Sequence, residues 1–178
     1  MGLSESKKDL NAETKKDLNA ETKKDPNEYD IFVSFHPNIF NQVENIHDKL
    51  LKRYKFKIWP EVLSLNDIEP SNHDSIKIIK NATIFLCFVT QAYCFSERCL
   101  EEIELANKTH ARIIFAIVEK IENENLGGLE VIINKAIRKN ILKCYDSKSD
   151  WWIEKFEQLK ELILQVKVIT KGFLMAEN

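Results

Sequence analysis

From Tyr29 onward the chain alternates short apolar runs with longer amphipathic stretches, and few folds satisfy that order. Asp30-Ile-Phe-Val-Ser-Phe35 is short, apolar and β-prone, and Phe56 to Trp59 is a second such run, stopped by Pro60. Thr83 to Val89 is apolar without alternation, the pattern of a strand covered on both faces. Arg112 to Val118 and Ile141 to Tyr145 complete the set of expected strands. Between the first two, Ile39 to Tyr54 carries Ile39, Val43, Ile46 and Leu50 at helical spacing. Further helices are expected from Asp74 to Asn81, from Ser96, after Gly127-Gly128 through Ile137, and from Asp150 to about Val168.

Strands that alternate with helices pair in parallel, because each crossover carries the chain back across one face of the sheet. The expected architecture is therefore an α/β, flavodoxin-like fold: a five-stranded parallel sheet of order 2-1-3-4-5 with helices on both faces. Such sheets bind ligands beyond the carboxyl ends of their strands, where strands 1 and 3 diverge. Ser34-Phe35-His36 follows strand 1 there, and Thr90 to Ser96 follows strand 3. The chain has no G-x-G-x-x-G and no G-x-x-x-x-G-K-[ST], which removes Rossmann and P-loop chemistry.

Before this region, Lys7 to Glu28 repeats KKDLNAET twice and ends in KKDPNE. One Leu and one Ala per unit is too little apolar surface to offset chain entropy. Residues 1–28 are thus expected to be a disordered or weakly helical leader, 29–168 the domain, and 169–178 a C-terminal tail. A net charge of −2 excludes the basic surface of a nucleic-acid binder. The chain shows no secretory signal and no apolar run near the ~20 residues of a membrane span, so a cytoplasmic protein is expected. Cys87, Cys94, Cys99 and Cys144, without a CxxC pair or histidines at zinc-finger spacing, fit reduced thiols. Met1-Gly2-Leu3-Ser4-Glu5-Ser6 matches the pattern for myristoylation of Gly2. One acyl chain gives only marginal membrane contact, and acidic residues balance the repeat's lysines.

The stretch Ser96-Glu-Arg-Cys-Leu-Glu-Glu-Ile-Glu-Leu105 opens the helix that leaves the strand 1/strand 3 crevice. At about 100° per residue, with Cys99 at zero, Ile103, Leu100 and Ala106 fall on one core-facing arc. Glu101 and Glu104 fall on the opposite, solvated side. Glu102 falls at about 300°, between Ala106 and Leu105, and alone of the three has apolar neighbours on both flanks. A carboxylate held there is expected to have a raised pKa, an arrangement found at reactive sites. The plainer alternative is an amphipathic helix whose Glu102 snorkels to water.

These residues together resemble a family. Tyr29-Asp30-Ile-Phe32-Val-Ser34-Phe35 is similar to the opening box of Toll/interleukin receptor (TIR) domains, and Ser96-Glu-Arg-Cys99-Leu-Glu-Glu102 to their Ser-x-Trp-Cys-x-x-Glu. Ile68-Glu-Pro70 sits where the family's loop carries Pro-Gly, and Trp151-Trp152 with Phe156 resembles the closing aromatic box. Arg98 departs from the usual Trp, and Ser71 from the usual Gly. The resemblance implies one of two functions. One class of TIR domains cleaves NAD between nicotinamide and ribose with a glutamate of the helix after strand 3; the other assembles with TIR partners and is catalytically silent. In the first case Glu102 is the implied catalytic residue, and Phe35, His36, Trp59, Glu61 and Arg98 are implied substrate contacts. NAD is then substrate rather than cofactor, and no metal is implied. The implied partners are further copies of the chain or other TIR proteins, through the loop from Glu61 to His73, in innate immune or cell-death signalling.

Overall fold

Strands β1 (Ile31–Phe35), β2 (Ile58–Trp59), β3 (Ile84–Val89), β4 (Arg112–Ile117) and β5 (Ile141–Lys143) form one parallel sheet of order β2-β1-β3-β4-β5. The computed structural model describes residues 29–61, 63, 72–109, 111–122, 125–135, 140–145 and 151–176. The repeat leader and most of the loop from Glu61 to His73 therefore lie outside the described residues. Phe32 stands opposite Phe85 and Trp59, and Ser34 opposite Cys87, in the parallel register.

Period-2 alternation divides β1 between two cores. Ile31, Val33 and Phe35 face α1 (Phe40–Tyr54) and α7 (Phe156–Ala176), where they meet Val43, Ile46, Leu50, Leu159 and Ile163. Phe32 faces the other way with Phe85 and Cys87, against Ile79 of α2 (Asn72–Asn81) and Cys99, Ile103 and Ala106 of α4 (Glu97–Lys108). Leu129 and Ile132 of α5 (Leu129–Lys135) extend this second core. All six residues of β3 are buried, as an unalternating run requires. Trp151 of the one-turn α6 (Trp151–Glu154) packs its ring 6.1 Å from Phe88, so Trp151 and Phe156 are core residues and Trp152 packs half-buried at their edge.

The structure changes some expected bounds. Strand β2 holds only two paired residues, although Asp30 and Ile31 continue the contact by donating to the Lys57 carbonyl at 2.8 and 3.1 Å. Thr90 caps a one-turn helix, α3 (Gln91–Cys94), through its hydroxyl on the Tyr93 N–H. The closing segment is two helices, with a turn at Lys155, and it continues to Ala176 rather than stopping near Val168. No proline follows Pro70 in the sequence, and Gly172 alone is a weak helix breaker. Helix α1 ends at Lys55 in the left-handed region (φ 57°), whose N–H closes the helix onto Leu50 and Leu51 carbonyls.

Candidate functional site

The wheel reading of α4 holds in three dimensions. Cys99, Ile103 and Ala106 are fully buried, while Glu101 and Glu104 are exposed. Glu102 does not snorkel: it is 6% exposed and points between α4 and the α2-facing side of β1. Its Oε2 accepts a 2.6 Å hydrogen bond from the Ser34 hydroxyl, and its Oε1 accepts a 2.8 Å bond from Arg98 Nη1. Helical i,i+4 spacing places Arg98 one turn before Glu102 for that pairing. The other guanidinium nitrogen, Nη2, donates to the Phe35 carbonyl at 2.8 Å and so ties α4 to the end of β1.

Behind the pair lies a chain of hydroxyl hydrogen bonds. Tyr93, fully buried on α3, sits with its hydroxyl 3.0 Å from Ser34 Oγ. Ser34 has one hydroxyl proton and gives it to Glu102, so at their 3.0 Å contact Tyr93 is the donor, with the Cys99 carbonyl at 3.3 Å as the phenol's second, longer acceptor. Burial pushes the Tyr93 phenol well above its usual value, which keeps that proton in place. Burial also raises the Glu102 carboxyl above its ordinary value, while the Arg98 charge and the Ser34 hydrogen bond oppose the rise. A carboxylate that receives two donors on two oxygens is matched to its ionised form. Cys99 is no nucleophile in this setting, since burial pushes its thiol up to about 11.

Arg98 and Glu102 form one wall of a cleft of about 350 Å³ between α2 and α4. Leu105 shares that wall, and Ser75, Ile76 and Ile79 form the facing one. Its lining is mostly apolar along α2 and charged along α4, where Glu101, Glu104 and Lys108 also border it.

The implied substrate contacts are only partly brought together. Arg98 stands against Glu102 and the cleft. Phe35 enters through its carbonyl, because strand parity turns its ring to the α1 core, 6.4 Å from Phe40. His36 caps the 3₁₀ turn Pro37–Ile39, its Nδ1 accepting from the Asn38 N–H at 3.3 Å. Trp59 stacks on Phe32 at 4.8 Å, and Phe32 on Phe85 at 5.3 Å, so its ring belongs to a core stack and does not line the cleft. Glu61 accepts a 2.9 Å bond from the Tyr29 hydroxyl, and Tyr29 precedes the opposite end of β1 from Phe35. Sequence reasoning missed Ser34 and Arg98 as the hydrogen-bond partners of Glu102, and Tyr93 as the partner of Ser34. Signals for two of these contacts were available: Ser34 shares strand parity with Phe32, and Arg98 and Glu102 are four apart on one helix.

A family model for the TIR domain matches residues 31–159, and the chain belongs to that family. Solved structures similar to it include the TIR domain of the Toll-related receptor TRR-2 from Hydra magnipapillata. That match is 18% identical with a TM-score of 0.44, over 53% of this chain and 74% of that one. The RPS4 and RRS1 TIR domain heterodimer is 14% identical with a TM-score of 0.49, over 75% and 97% of the two chains. The TIR domains of the Roq1 resistosome recognising the effector XopQ are 16% identical with a TM-score of 0.44, over 76% and 83%. No curated protein matches the sequence. No helix among the described residues is long and apolar enough to cross a membrane.

Proposed function

We propose that this TIR domain is an NAD glycohydrolase, with Glu102 as the catalytic residue and activity that rises on self-association. The observation that carries the reading is Glu102 itself, a carboxylate 6% exposed, on the wall of an open cleft and held by the chain of hydroxyl hydrogen bonds from Tyr93. In the reaction the C1′–N bond of the nicotinamide riboside unit breaks, and its electron pair passes to the ring nitrogen. Nicotinamide leaves neutral, so no strong general acid is needed. The ribose acquires oxocarbenium character, which an adjacent anionic oxygen stabilises or steadies through the ribose hydroxyls. Water then adds to C1′ and loses a proton to solvent. Ser34 fixes the rotamer of Glu102, and Tyr93 fixes Ser34.

Purified protein incubated with NAD should release nicotinamide. Glu102→Gln keeps side-chain size and removes the charge, and should lower the rate by about two to three orders of magnitude. Glu97→Gln, on the exposed first turn of the same helix, should not. The hydrolase reading fails if the wild type is inert even when concentrated, or if Glu102→Gln turns over normally. A silent interaction module is the second reading, and one observation favours it: Arg98 occupies Oε1 of the carboxylate that would do the chemistry.

A further inference from the structure

The Arg98–Glu102 pair sets a condition on any ligand of the cleft. The carboxylate end is buried, with 7% of its side chain exposed, whereas the guanidinium end is 28% exposed and meets solvent. Both line the cleft. Of the two, Arg98 is therefore the member that an anion entering from solvent meets, and its guanidinium fork suits phosphate oxygens as the single ammonium of Lys108, farther along the same wall, does not. If Arg98 turns to such an anion, however, Glu102 is left as a buried charge with only the Ser34 hydroxyl, which is strongly unfavourable. A ligand that opens the pair must then bring a cation for Glu102 as well as an anion for Arg98.

We infer that the pair is exchanged with a zwitterionic ligand: a diphosphate takes Arg98 while a cationic aromatic ring takes Glu102. This rests on the hydrolase reading and gives Arg98 the choice among nicotinamide-bearing ligands, since only one that carries both charges can open the pair. The apolar side chains of Ile76, Ile79 and Leu105 offer a flat ring the contact it needs beside the carboxylate. A reduced dinucleotide lacks the ring charge, and nicotinamide riboside lacks the diphosphate, so each satisfies half of the exchange. Arg98, which stands at the family's usual Trp position, is then the specificity-determining residue, and its contact with Glu102 is also the resting block on the site.

Calorimetric titration with inorganic pyrophosphate at low salt tests the exchange without turnover. Pyrophosphate supplies an anion and no cation, so wild type should bind it weakly. Glu102→Gln frees the guanidinium from its carboxylate and should tighten binding about tenfold or more. Glu97→Gln removes an equal charge from the same helix and should bind as wild type does. The Arg98→Ala/Glu102→Gln double variant leaves no buried charge unpaired, and should bind no better than wild type. Equal affinity of Glu102→Gln and wild type, equal tightening by Glu97→Gln, or tight binding by the double variant would each overturn the exchange. A parallel assay of nicotinamide release separates the two readings. Should no substrate be cleaved, the hydrolase fails while the titration still decides the exchange. If NAD is cleaved, its preference over nicotinamide riboside should shrink at least about tenfold in Arg98→Ala, and an unchanged preference would overturn Arg98 as the discriminator.

Discussion

Ser34 Oγ lies 2.6 Å from Glu102 Oε2, joining the carboxyl-terminal half of β1 to the second turn of α4 across 68 residues of sequence. That bond places a polar side chain in an otherwise apolar strand, and the strand tolerates it because both polar atoms are satisfied. It also sets the orientation of the carboxylate, since Arg98 holds the second oxygen from one turn away. Consequences for stability, pH dependence and assembly follow from this arrangement.

Ser34→Ala should destabilise the fold by about 1–3 kcal/mol, because it strands a buried carboxylate oxygen, while the Tyr93 phenol keeps the Cys99 carbonyl at 3.3 Å as its acceptor. Tyr93→Phe removes a donor and leaves Ser34 bonded to Glu102, so its cost should be smaller, about 0.5–1.5 kcal/mol. Denaturant unfolding of the two single variants and the double variant measures the coupling. The double variant should cost less than the sum, and strict additivity would argue against a coupled chain.

The raised Glu102 carboxyl gives a pH signature of definite sign. Between its ordinary value of 4.5 and its higher folded value, the native state binds more protons than the unfolded chain. The stability contributed by that protonation is lost as pH rises through the window. Melting temperatures of wild type and Glu102→Gln, compared from about pH 4 to 7, should show wild type losing ground as pH increases. Turnover requires the ionised form, so the acid limb of kcat/KM should lie above 4.5.

His47 should act in the opposite direction. It is buried on α1 and its Nε2 lies 2.7 Å from the Pro60 carbonyl, which fixes the neutral tautomer with the proton on Nε2. Burial pushes it below its ordinary value of 6.5, so stability held at neutral pH is lost as pH falls below 6.5. His47→Gln should flatten the dependence of melting temperature on pH in that range, even if the variant melts lower throughout. An unchanged slope would place the acid sensitivity elsewhere.

Assembly should be visible in kinetics. Ile76 on the cleft wall is 42% exposed, and Phe95, just before the α4 cap, is 69% exposed. Ile76 borders the cleft and Phe95 precedes the helix that carries Glu102, so a second protomer docking at this end of α4 would cover apolar side chains. Nicotinamide release per molecule should rise with protein concentration, and Phe95→Ser should weaken that rise without lowering the melting temperature. Activity that stays constant across a wide dilution series would count against a shared site.

The alternating elements, the two-faced core and the place of Glu102 between apolar neighbours could be read from sequence because each depends on local periodicity, and the strand order followed from the crossover topology of parallel sheets. Alternation along β1 sends Phe32 and Val33 to opposite cores, and the α4 wheel separates Glu102 from Glu101 and Glu104 whatever the helix packs against. Partners are a different matter, because they depend on which elements become neighbours and in what register. Ser34 meets Glu102 and Tyr93 only once β1 lies beside β3 and α4 crosses the α2-facing side of the sheet. Register likewise commits Trp59 to the stack on Phe32, and Glu61 bonds Tyr29 rather than the cleft. Arg98 shows both levels in one side chain. Its Nη1 bond to Glu102 follows from four residues of helix, but its Nη2 bond to the Phe35 carbonyl exists only because tertiary packing brings the end of β1 to the start of α4.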